Sequence, residues 1–294
     1  MRRSERVWSA ILLSPGLGML LLFVVAPIVL TAWISFHEWS MFTPMGDWTF
    51  VGIDNYRELS NSRTFRIALR NTLLYAGISL VAIVPLALGL GMLLFGGMGR
   101  ASTALRTIVF VPYMIPTIAV AIIWGYLYSP LYGPLNQLLG FVGLPRQAWL
   151  GAVDTAMLSL VILNVWQTIG YYTVLVIAGL TQIPFVYYEA AKIDGASGFQ
   201  RTWHITLPLL RRTLLFVVVI AVINTVQVFE PVYVLTQGGP ANATNVLSFQ
   251  IYRTAFEFGL AGQASAMAFV LFLVLVAAVL VVMRLLRDPA GGVV

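Results

Sequence analysis

Residues 68–95 read ALRNTLLYAGISLVAIVPLALGLGMLLF, an apolar stretch whose only charge, Arg70, lies near its start. An α-helix needs about 20 mostly apolar residues to cross the hydrocarbon core of a bilayer. A surface helix of a soluble protein keeps one polar face toward water, and this stretch has no such face. The stretch therefore predicts a membrane-spanning helix.

The composition of the whole chain agrees with this prediction. Of the 294 residues, 60% are hydrophobic and 10% are charged, and the mean hydropathy is +0.90. A soluble domain carries about 25% charged residues. Most of the surface must therefore face lipid or other apolar protein, and we expect an all-α integral membrane protein.

Six stretches have the length and composition of a span, and together they predict one transmembrane domain over residues 1–294. They cover residues 11–36, 68–95, 107–128, 156–180, 214–236 and 265–286. Four of them contain proline, which membrane helices tolerate and which often kinks them. The first apolar run is longer than the about 7–15 residues of a secretory signal, so we expect an uncleaved span.

The distribution of basic residues predicts how these spans are oriented. With the N-terminus in the cytoplasm, eleven of the 17 Lys and Arg residues fall on cytoplasmic segments, Arg2 and Arg287 among them. Cytoplasmic loops of membrane proteins carry an excess of Lys and Arg. We therefore expect both termini in the cytoplasm. The same bias explains the net charge of +6 without any nucleic-acid partner.

Several chemistries are excluded by what the sequence lacks. It has no Cys, which excludes disulfides, thiolate nucleophiles and Cys-based zinc sites. Its one Lys, Lys192, is followed by Ile193, so there is no P-loop to hold ATP phosphates. His37 and His204 form no protease or H-E-x-x-H pattern. We expect no catalytic residue, metal ligand or cofactor in this chain, and we do not expect it to be an enzyme.

The connector between the fourth and fifth predicted spans, residues 181–212, is too long for a simple loop and carries helix signals. Pro184 suits the first turn of a short helix, and Gly195 suits the left-handed position that ends it. Ser197 and Gln200 have the spacing of a capping box, which predicts a second short helix. Two helices and a tight bend are therefore expected at the cytoplasmic surface.

The bend carries small side chains flanked by charge. Ala190, Ala191 and Gly195 permit close approach of another surface, and Glu189 and Asp194 lie beside them. A docking surface for a second protein fits this pattern. An amphipathic helix lying on lipid headgroups fits it equally well. The residue types alone leave both functions open.

The spacing in the connector resembles the EAA loop of binding-protein-dependent ABC importer permeases. The run Glu189-Ala190-Ala191, then Gly195, Ile205 and Leu207-Pro208 stand at the intervals of that motif. In this family the loop forms a coupling helix that docks on the ATP-hydrolysing subunit. The resemblance implies a type I ABC importer permease fold with six transmembrane helices. It implies coupling residues at Glu189, Ala190, Ala191, Asp194, Gly195, Ala196 and Arg201.

Three further stretches resemble the first permease subunit of maltose-, glycerol-3-phosphate- and trehalose-type importers. They are FVGIDNY at 50–56, ALRNT at 68–72 and VYVLTQGGPANAT at 232–244. Some members of that group carry extra N-terminal spans and a large outside domain, which this sequence does not show. It is therefore more similar to the shorter glycerol-3-phosphate and trehalose types.

The resemblance also implies partners, a location and a function. The partners are a second homologous permease, two copies of an ABC ATPase that bind ATP and magnesium, and an extracytoplasmic solute-binding protein. The location is the cytoplasmic membrane of a bacterium or archaeon, where the chain contacts the lipid bilayer. The function is inward transport of a carbohydrate by alternating access. A glycerol-3-phosphate or glycerophosphodiester importer and a stand-alone secondary transporter are the alternatives.

Polar side chains within the spans mark a candidate substrate pathway, since such groups usually face the bundle interior or a wet cavity. The fourth span carries Asn164, Gln167, Tyr171 and Tyr172, and the fifth carries Asn224, Gln227 and Glu230 at every third position. Amides and a carboxylate suit sugar hydroxyls, and tyrosine rings suit a sugar face. Pro231 beside Glu230 is expected to open the backbone there. The alternative role is hydrogen bonding between helices.

Overall fold

The protein is built almost entirely of helices in a computed structural model, which describes residues 3–44, 46–96 and 100–286. Arg2 and Arg287, which the orientation prediction used, lie outside the described residues. The described α-helices are α1 Arg3–Leu20, α2 Ala26–Ile34, α3 Asp54–Asn61, α4 Arg63–Phe95, α5 Arg100–Met114, α6 Thr117–Leu127, α7 Pro134–Phe141, α8 Val153–Leu180, α9 Val186–Ile193, α10 Gly198–Arg201, α11 Leu207–Leu209, α12 Arg211–Val226, α13 Glu230–Leu235, α14 Leu247–Tyr252 and α15 Ala261–Leu285. Two short strands, β1 His37–Glu38 and β2 Thr49–Phe50, pair antiparallel.

Five stretches of helix in the described part of the chain are long and apolar enough to cross a membrane. They are Leu12–Ile34, Arg63–Phe95, Val153–Leu180, Arg211–Leu235 and Ala261–Leu285. The remaining predicted span, residues 107–128, differs from expectation because it is two helices bent by 98°. If that bent pair is one broken span, the described residues hold six spans.

Proline explains the break between α5 and α6. Pro116 lacks an N–H group, and its ring clashes with the carbonyl one turn earlier in a helix. Its backbone angles, φ −53° and ψ 133°, are not helical, and α6 begins at the next residue. Wide π-helical turns at Leu21–Val25 and Thr202–Thr206 likewise lie just before Pro27 and Pro208. Proline thus bends or widens the helices without ending the spans.

The chain forms two compact units, and the first comprises Met1–Arg66 and Gln250–Leu273. Within it, the Asn55 amide donates to the carbonyls of Ser35 at 2.8 Å and His37 at 3.0 Å. These bonds hold α3 against the end of α2. The prediction of a single domain over the whole chain stays a prediction.

The second unit comprises Ile67–Phe249 and Val274–Val294, and α8 lies at its centre. Half of the most apolar stretch of α8 is buried, whereas none of the first span is. The main core cluster draws its buried side chains from α4, α8 and α12, together with Leu210. Helix α5 packs along α8, and α13 packs on α6.

Two glycines of α8 permit this central position. A Cβ atom at Gly170 would lie 2.0 Å from the carbonyl oxygen of Val109 on α5, and one at Gly179 would lie 2.4 Å from Oγ1 of Thr213 on α12. A larger residue would require the α5 backbone to move at Gly170 and the Thr213 side chain to move at Gly179. Small residues at such crossings allow backbones in membrane proteins to approach closely.

Candidate functional site

The connector between α8 and α12 folds into short helices, as the sequence predicted. Helix α9 begins at Val186, two residues later than Pro184, so the expectation that Pro184 occupies its first turn is wrong. The Pro184 carbonyl instead accepts a bond of 3.2 Å from the Tyr187 N–H, in a turn that precedes the helix. Phe185 takes the capping position.

The bend after α9 has the predicted glycine geometry. Gly195 has φ +76°, a left-handed conformation that favours glycine. The Ala196 N–H donates to the Ala191 carbonyl at 2.8 Å, and the Gly195 N–H donates to the Lys192 carbonyl at 3.1 Å. These two bonds satisfy carbonyls that the end of a helix leaves without partners.

The next helix starts at the predicted capping box. The Ser197 N–H donates to Oε1 of Gln200 at 2.7 Å, and the Gln200 N–H donates to Oγ of Ser197 at 3.3 Å. Behind this bend, the hydroxyls of Tyr188 and Thr206 lie 3.0 Å apart and tie α9 to the following π-helical turn. The bend is therefore fixed by local hydrogen bonds and does not depend on a partner for its shape.

The outer surface of the bend is open. Glu189, Ala190, Asp194 and Gly195 are exposed, while Ala191, Ala196 and Arg201 are half-buried. A Cβ atom at Gly195 would meet nothing within 4 Å. This part of the chain thus presents small side chains and two carboxylates to whatever lies outside it.

Large apolar side chains surround this open surface. Ile193 is 87% exposed, and the exposed rings of Phe199 and Trp203 stack with centroids 6.2 Å apart. An apolar patch rimmed by charge is typical of a protein interface or of a membrane surface. Both functions that the sequence left open therefore remain compatible with the geometry.

In the fourth span, two of the predicted pathway residues contact other helices. The buried Gln167 amide donates to the Ile115 carbonyl at 3.2 Å and to Oγ1 of Thr117 at 3.3 Å, across the break between α5 and α6. Tyr172 is 1% exposed, and its hydroxyl accepts a bond of 3.1 Å from the Asn224 amide. Both side chains serve as helix contacts in this conformation, and their place on a substrate pathway stays a prediction.

The other two residues of that span are half-buried. Tyr171 stacks on Tyr113 with ring centroids 4.4 Å apart. The side-chain nitrogen of Asn164 is buried and has no hydrogen-bond partner within the described part of the chain. A buried amide nitrogen without a partner costs free energy.

The fifth span opens where Pro231 was expected to open it. Helix α12 ends at Val226 and α13 begins at Glu230, with Pro231 in its first turn. Phe229 lies between them at φ −140° and ψ −60°, outside the helical region. The backbone of the span is therefore interrupted beside its one carboxylate.

Asn224, Gln227 and Glu230 are all exposed at this break. Asn224 also joins two helices, because its amide donates to the Tyr172 hydroxyl. Polar groups inside a span do not face lipid without a large cost. Their exposure is therefore compatible with a wet cavity or with the surface of a partner subunit, and their place on a substrate pathway stays a prediction.

Sequence reasoning missed two polar residues that lie near this break. Tyr75 and Ser79, four residues apart on α4, are fully buried. Tyr75 packs in one cluster with Val228 and Val232, on either side of the interruption. The spacing of four residues between Tyr75 and Ser79 places both on one face of the span, and this spacing was the sequence signal that could have identified them.

The loop after α13 is held by the start of α4. The Asn71 amide donates to the carbonyls of Asn242 at 2.8 Å and Asn245 at 3.0 Å. The Leu247 N–H donates to Oγ1 of Thr72 at 2.8 Å. Two of the stretches that carried the family resemblance, 68–72 and 232–244, are thus in contact at the same end of the second unit.

Comparison with known proteins places these features in a family. Residues 83–288 match the family described as binding-protein-dependent transport system inner membrane component. The chain is 39% identical over 270 residues to the probable ABC transporter permease protein YurN of Bacillus subtilis, covering 91% of this chain and 92% of that protein. It is 36% identical over 281 residues to the trehalose/maltose transport system permease protein MalF of Thermococcus litoralis, covering 95% and 94%.

A solved structure agrees over the full length. The crystal structure of a bacterial alginate ABC transporter, in complex with alginate pentasaccharide-bound periplasmic protein, contains a chain that superposes with a TM-score of 0.83. The two chains are 25% identical, and the match covers 99% of this chain and 98% of the other. The predicted permease fold is confirmed, and the protein belongs to the binding-protein-dependent family of ABC importer membrane permeases.

Proposed function

We propose that this permease forms one side of a carbohydrate translocation pathway, with the fifth-span break at its polar surface. The observation that carries the proposal is the outward exposure of Asn224, Gln227 and Glu230. Amides and carboxylates are suited to sugar hydroxyls because they accept and donate several hydrogen bonds each. The names of the related proteins above, which refer to trehalose, maltose and alginate, support a carbohydrate as the solute.

A second homologous permease closes the other side of the pathway in this proposal. The first span supports this, because its most apolar stretch is wholly unburied within the chain, and the exposed polar trio needs a covering surface. An extracytoplasmic binding protein delivers the solute. The solute is bound weakly enough for it to be released on the other side of the membrane.

In this proposal, the bend between α9 and α10 couples ATP binding and hydrolysis in the ATPase subunits to movement of the spans. We assign the coupling role to Glu189, Ala190, Ala191, Asp194, Gly195, Ala196 and Arg201. One of the two ATPase subunits, which carry the ATP and magnesium, docks there from the cytoplasm. Closure of the ATPase pair moves the bend as a rigid lever, since its shape is fixed by its own hydrogen bonds. The spans then alternate between inward-open and outward-open states, and the chain supplies no covalent chemistry.

The alternative solute, glycerol 3-phosphate, is less well supported. A phosphate inside the membrane calls for basic side chains, and the charged residue at the fifth-span break is Glu230. A carboxylate there repels a phosphate and accepts bonds from neutral hydroxyls. A secondary transporter is disfavoured by membership of the ABC permease family.

Substitutions at the break test this proposal in proteoliposomes that contain the complete transporter. Gln227→Ala and Glu230→Gln each remove hydrogen-bonding capacity or charge from an exposed position, so we expect a raised KM for sugar uptake, by roughly tenfold per lost bond to solute. Asp47→Asn removes a charge from an exposed loop and serves as the control. Uptake with unchanged kinetics in both break variants would show that these residues serve assembly only. Uptake by this chain alone in an ion gradient would refute the proposal altogether.

A further inference from the structure

The bond between Tyr172 on α8 and Asn224 on α12 joins an enclosed side chain to an exposed one. The Asn224 amide nitrogen lies 3.1 Å from the Tyr172 hydroxyl, to which it donates. Tyr172 is 1% exposed, whereas Asn224 is exposed beside the fifth-span break. Asn224 lies on the proposed sugar pathway, and Tyr172 lies directly behind it.

The ring of Tyr172 is held in place by the core of the second unit. It belongs to the main core cluster, in which Ile83 of α4 and Ala221 of α12 are also buried. The ring of Tyr171 lies against it with centroids 5.2 Å apart. Close packing of this kind leaves few alternative rotamers, and it leaves no open ring face for a solute in this conformation. The Tyr172 hydroxyl is therefore a fixed point to which Asn224 is bonded.

This bond leaves most of the Asn224 amide available. An Asn side chain offers two N–H donors and one carbonyl acceptor. Tyr172 uses one N–H, and Asn224 has no other side-chain hydrogen bond among the described residues. The carbonyl oxygen and the second N–H share one rigid plane with the bonded nitrogen. The bond to Tyr172 therefore sets the direction in which these free groups point.

We infer that Tyr172 is a positioning residue for sugar binding, whose hydroxyl holds the Asn224 amide so that its carbonyl oxygen accepts a hydrogen bond from a sugar hydroxyl. A binding group that is oriented beforehand loses less conformational entropy when the solute arrives. Asn224 lies in the last turn of α12, directly before the backbone leaves the helix, so the helix alone gives it little support. This role rests on the proposed function, in which Asn224 faces the solute.

Sugar uptake by the complete transporter in proteoliposomes tests this role. The probe is whichever of maltose, trehalose and an alginate oligosaccharide, the sugars in the names of related proteins, gives saturable uptake by the unaltered transporter. Tyr172→Phe keeps the ring and removes only the hydroxyl, so we expect KM to rise about three- to tenfold with little change in kcat. Asn224→Ala should raise KM by at least as much.

The double variant, Tyr172→Phe with Asn224→Ala, distinguishes positioning from two independent contacts with the solute. If Tyr172 acts through Asn224, removing its hydroxyl has no further effect once the amide is gone. The KM of the double variant should then equal that of Asn224→Ala alone. Effects on KM that multiply in the double variant would mean that the two residues act independently, and they would overturn the inference.

Tyr128→Phe is the matched control, because Tyr128 is also 1% exposed and its hydroxyl donates to the Ser159 carbonyl at 2.7 Å. This variant loses a buried tyrosine hydroxyl that has no bond to Asn224. We expect both Tyr→Phe variants to melt at a lower temperature in detergent, but only Tyr172→Phe to raise KM. An equal rise in KM for both would indicate a general loss of stability, and the positioning role would be wrong.

Two outcomes separate this role from the proposed function. An unchanged KM in Asn224→Ala would show that the amide does not contact the solute and would refute the role of Tyr172. Raised KM values in Gln227→Ala and Glu230→Gln would then leave the proposed function standing. Unchanged KM in those two variants, or no uptake of any of the three sugars, would refute the proposed function and the role of Tyr172 with it.

Discussion

At the scale of single residues, Gly195 links the sequence motif to a physical requirement. Its φ of +76° needs a residue without a Cβ strain penalty, and the space outside it is empty within this chain. A Cβ atom added there would meet no described atom of this protein within 4 Å. Any steric conflict that it causes must therefore come from a partner.

This predicts different effects for three substitutions at Gly195. Gly195→Trp adds bulk, and we expect sugar uptake per ATP hydrolysed to fall severely while the chain still folds. Gly195→Ala adds backbone strain of about 1–2 kcal/mol but little bulk, and Gly195→Asn adds little strain because Asn tolerates this conformation. Sugar uptake and ATP hydrolysis are measured together in proteoliposomes, and we expect the ratio of uptake to hydrolysis to fall most in the Trp variant. Normal coupling in the Trp variant would contradict the docking role.

Gln167 shows how one amide can support an interrupted span. Its two bonds reach the break between α5 and α6, where Ile115 lies between the two helices and its carbonyl has no donor from the helical ladder. Gln167→Leu keeps the approximate size but leaves that carbonyl without this donor. We expect the free energy of unfolding to fall by about 0.6–1.7 kcal/mol, from the average to the maximum found for hydrogen bonds between membrane helices.

Denaturant unfolding in detergent measures this change. Gln137→Leu, an exposed glutamine on α7, provides the control and should be near neutral. If Gln167→Leu is equally neutral and transport instead changes, then Gln167 acts on the solute and not on the helix break.

At the scale of helices, the central position of α8 rests on a glycine. Gly170→Ala places a methyl group 2.0 Å from the Val109 carbonyl, and a backbone cannot yield as a flexible side chain can. We expect a loss of about 3 kcal/mol of stability, at the upper end of overpacking costs. Gly89→Ala on α4 meets nothing within 4 Å and should be stabilising by up to about 1 kcal/mol. Equal stability of the two variants would mean that α5 and α8 can separate without cost.

At the scale of the whole molecule, the orientation in the membrane stays a prediction that the chain itself makes easy to test. The sequence has no Cys, so a single introduced thiol reports one position. Ile193 in the connector and Phe141 at the end of α7 are 87% and 86% exposed, which makes both sites accessible. Helix α8 runs between the two segments that carry them.

We expect a membrane-impermeant maleimide to label the thiol of Phe141→Cys in intact cells. The thiol of Ile193→Cys should be labelled only after the membrane is permeabilised, because the excess of Lys and Arg predicts that the connector is cytoplasmic. The opposite pattern would place the proposed coupling bend outside the cell and remove the basis for its contact with an ATPase.

The sequence by itself determined the membrane class, the approximate spans and the bend. Apolar runs of span length and a low content of charged residues require that most of the surface faces lipid or other apolar protein. Gly195, Ser197 and Gln200 determine the bend through the backbone angles and hydrogen bonds of residues next to them in the sequence. Local patterns of this kind need no knowledge of the rest of the fold. The interruption at Pro231 was predictable for the same reason.

Only the tertiary structure decided which polar residues are used within the chain and which face outward. Gln167 and Asn224 have the same chemistry and lie on similar apolar helices, but Gln167 is buried at a neighbouring break while Asn224 lies on an exposed face. The bond from Arg211 to the Leu286 carbonyl also joins segments that are far apart in sequence. The periodicity of the sequence indicates which face of a helix a residue occupies, but only the packing of the helices determines what that face contacts.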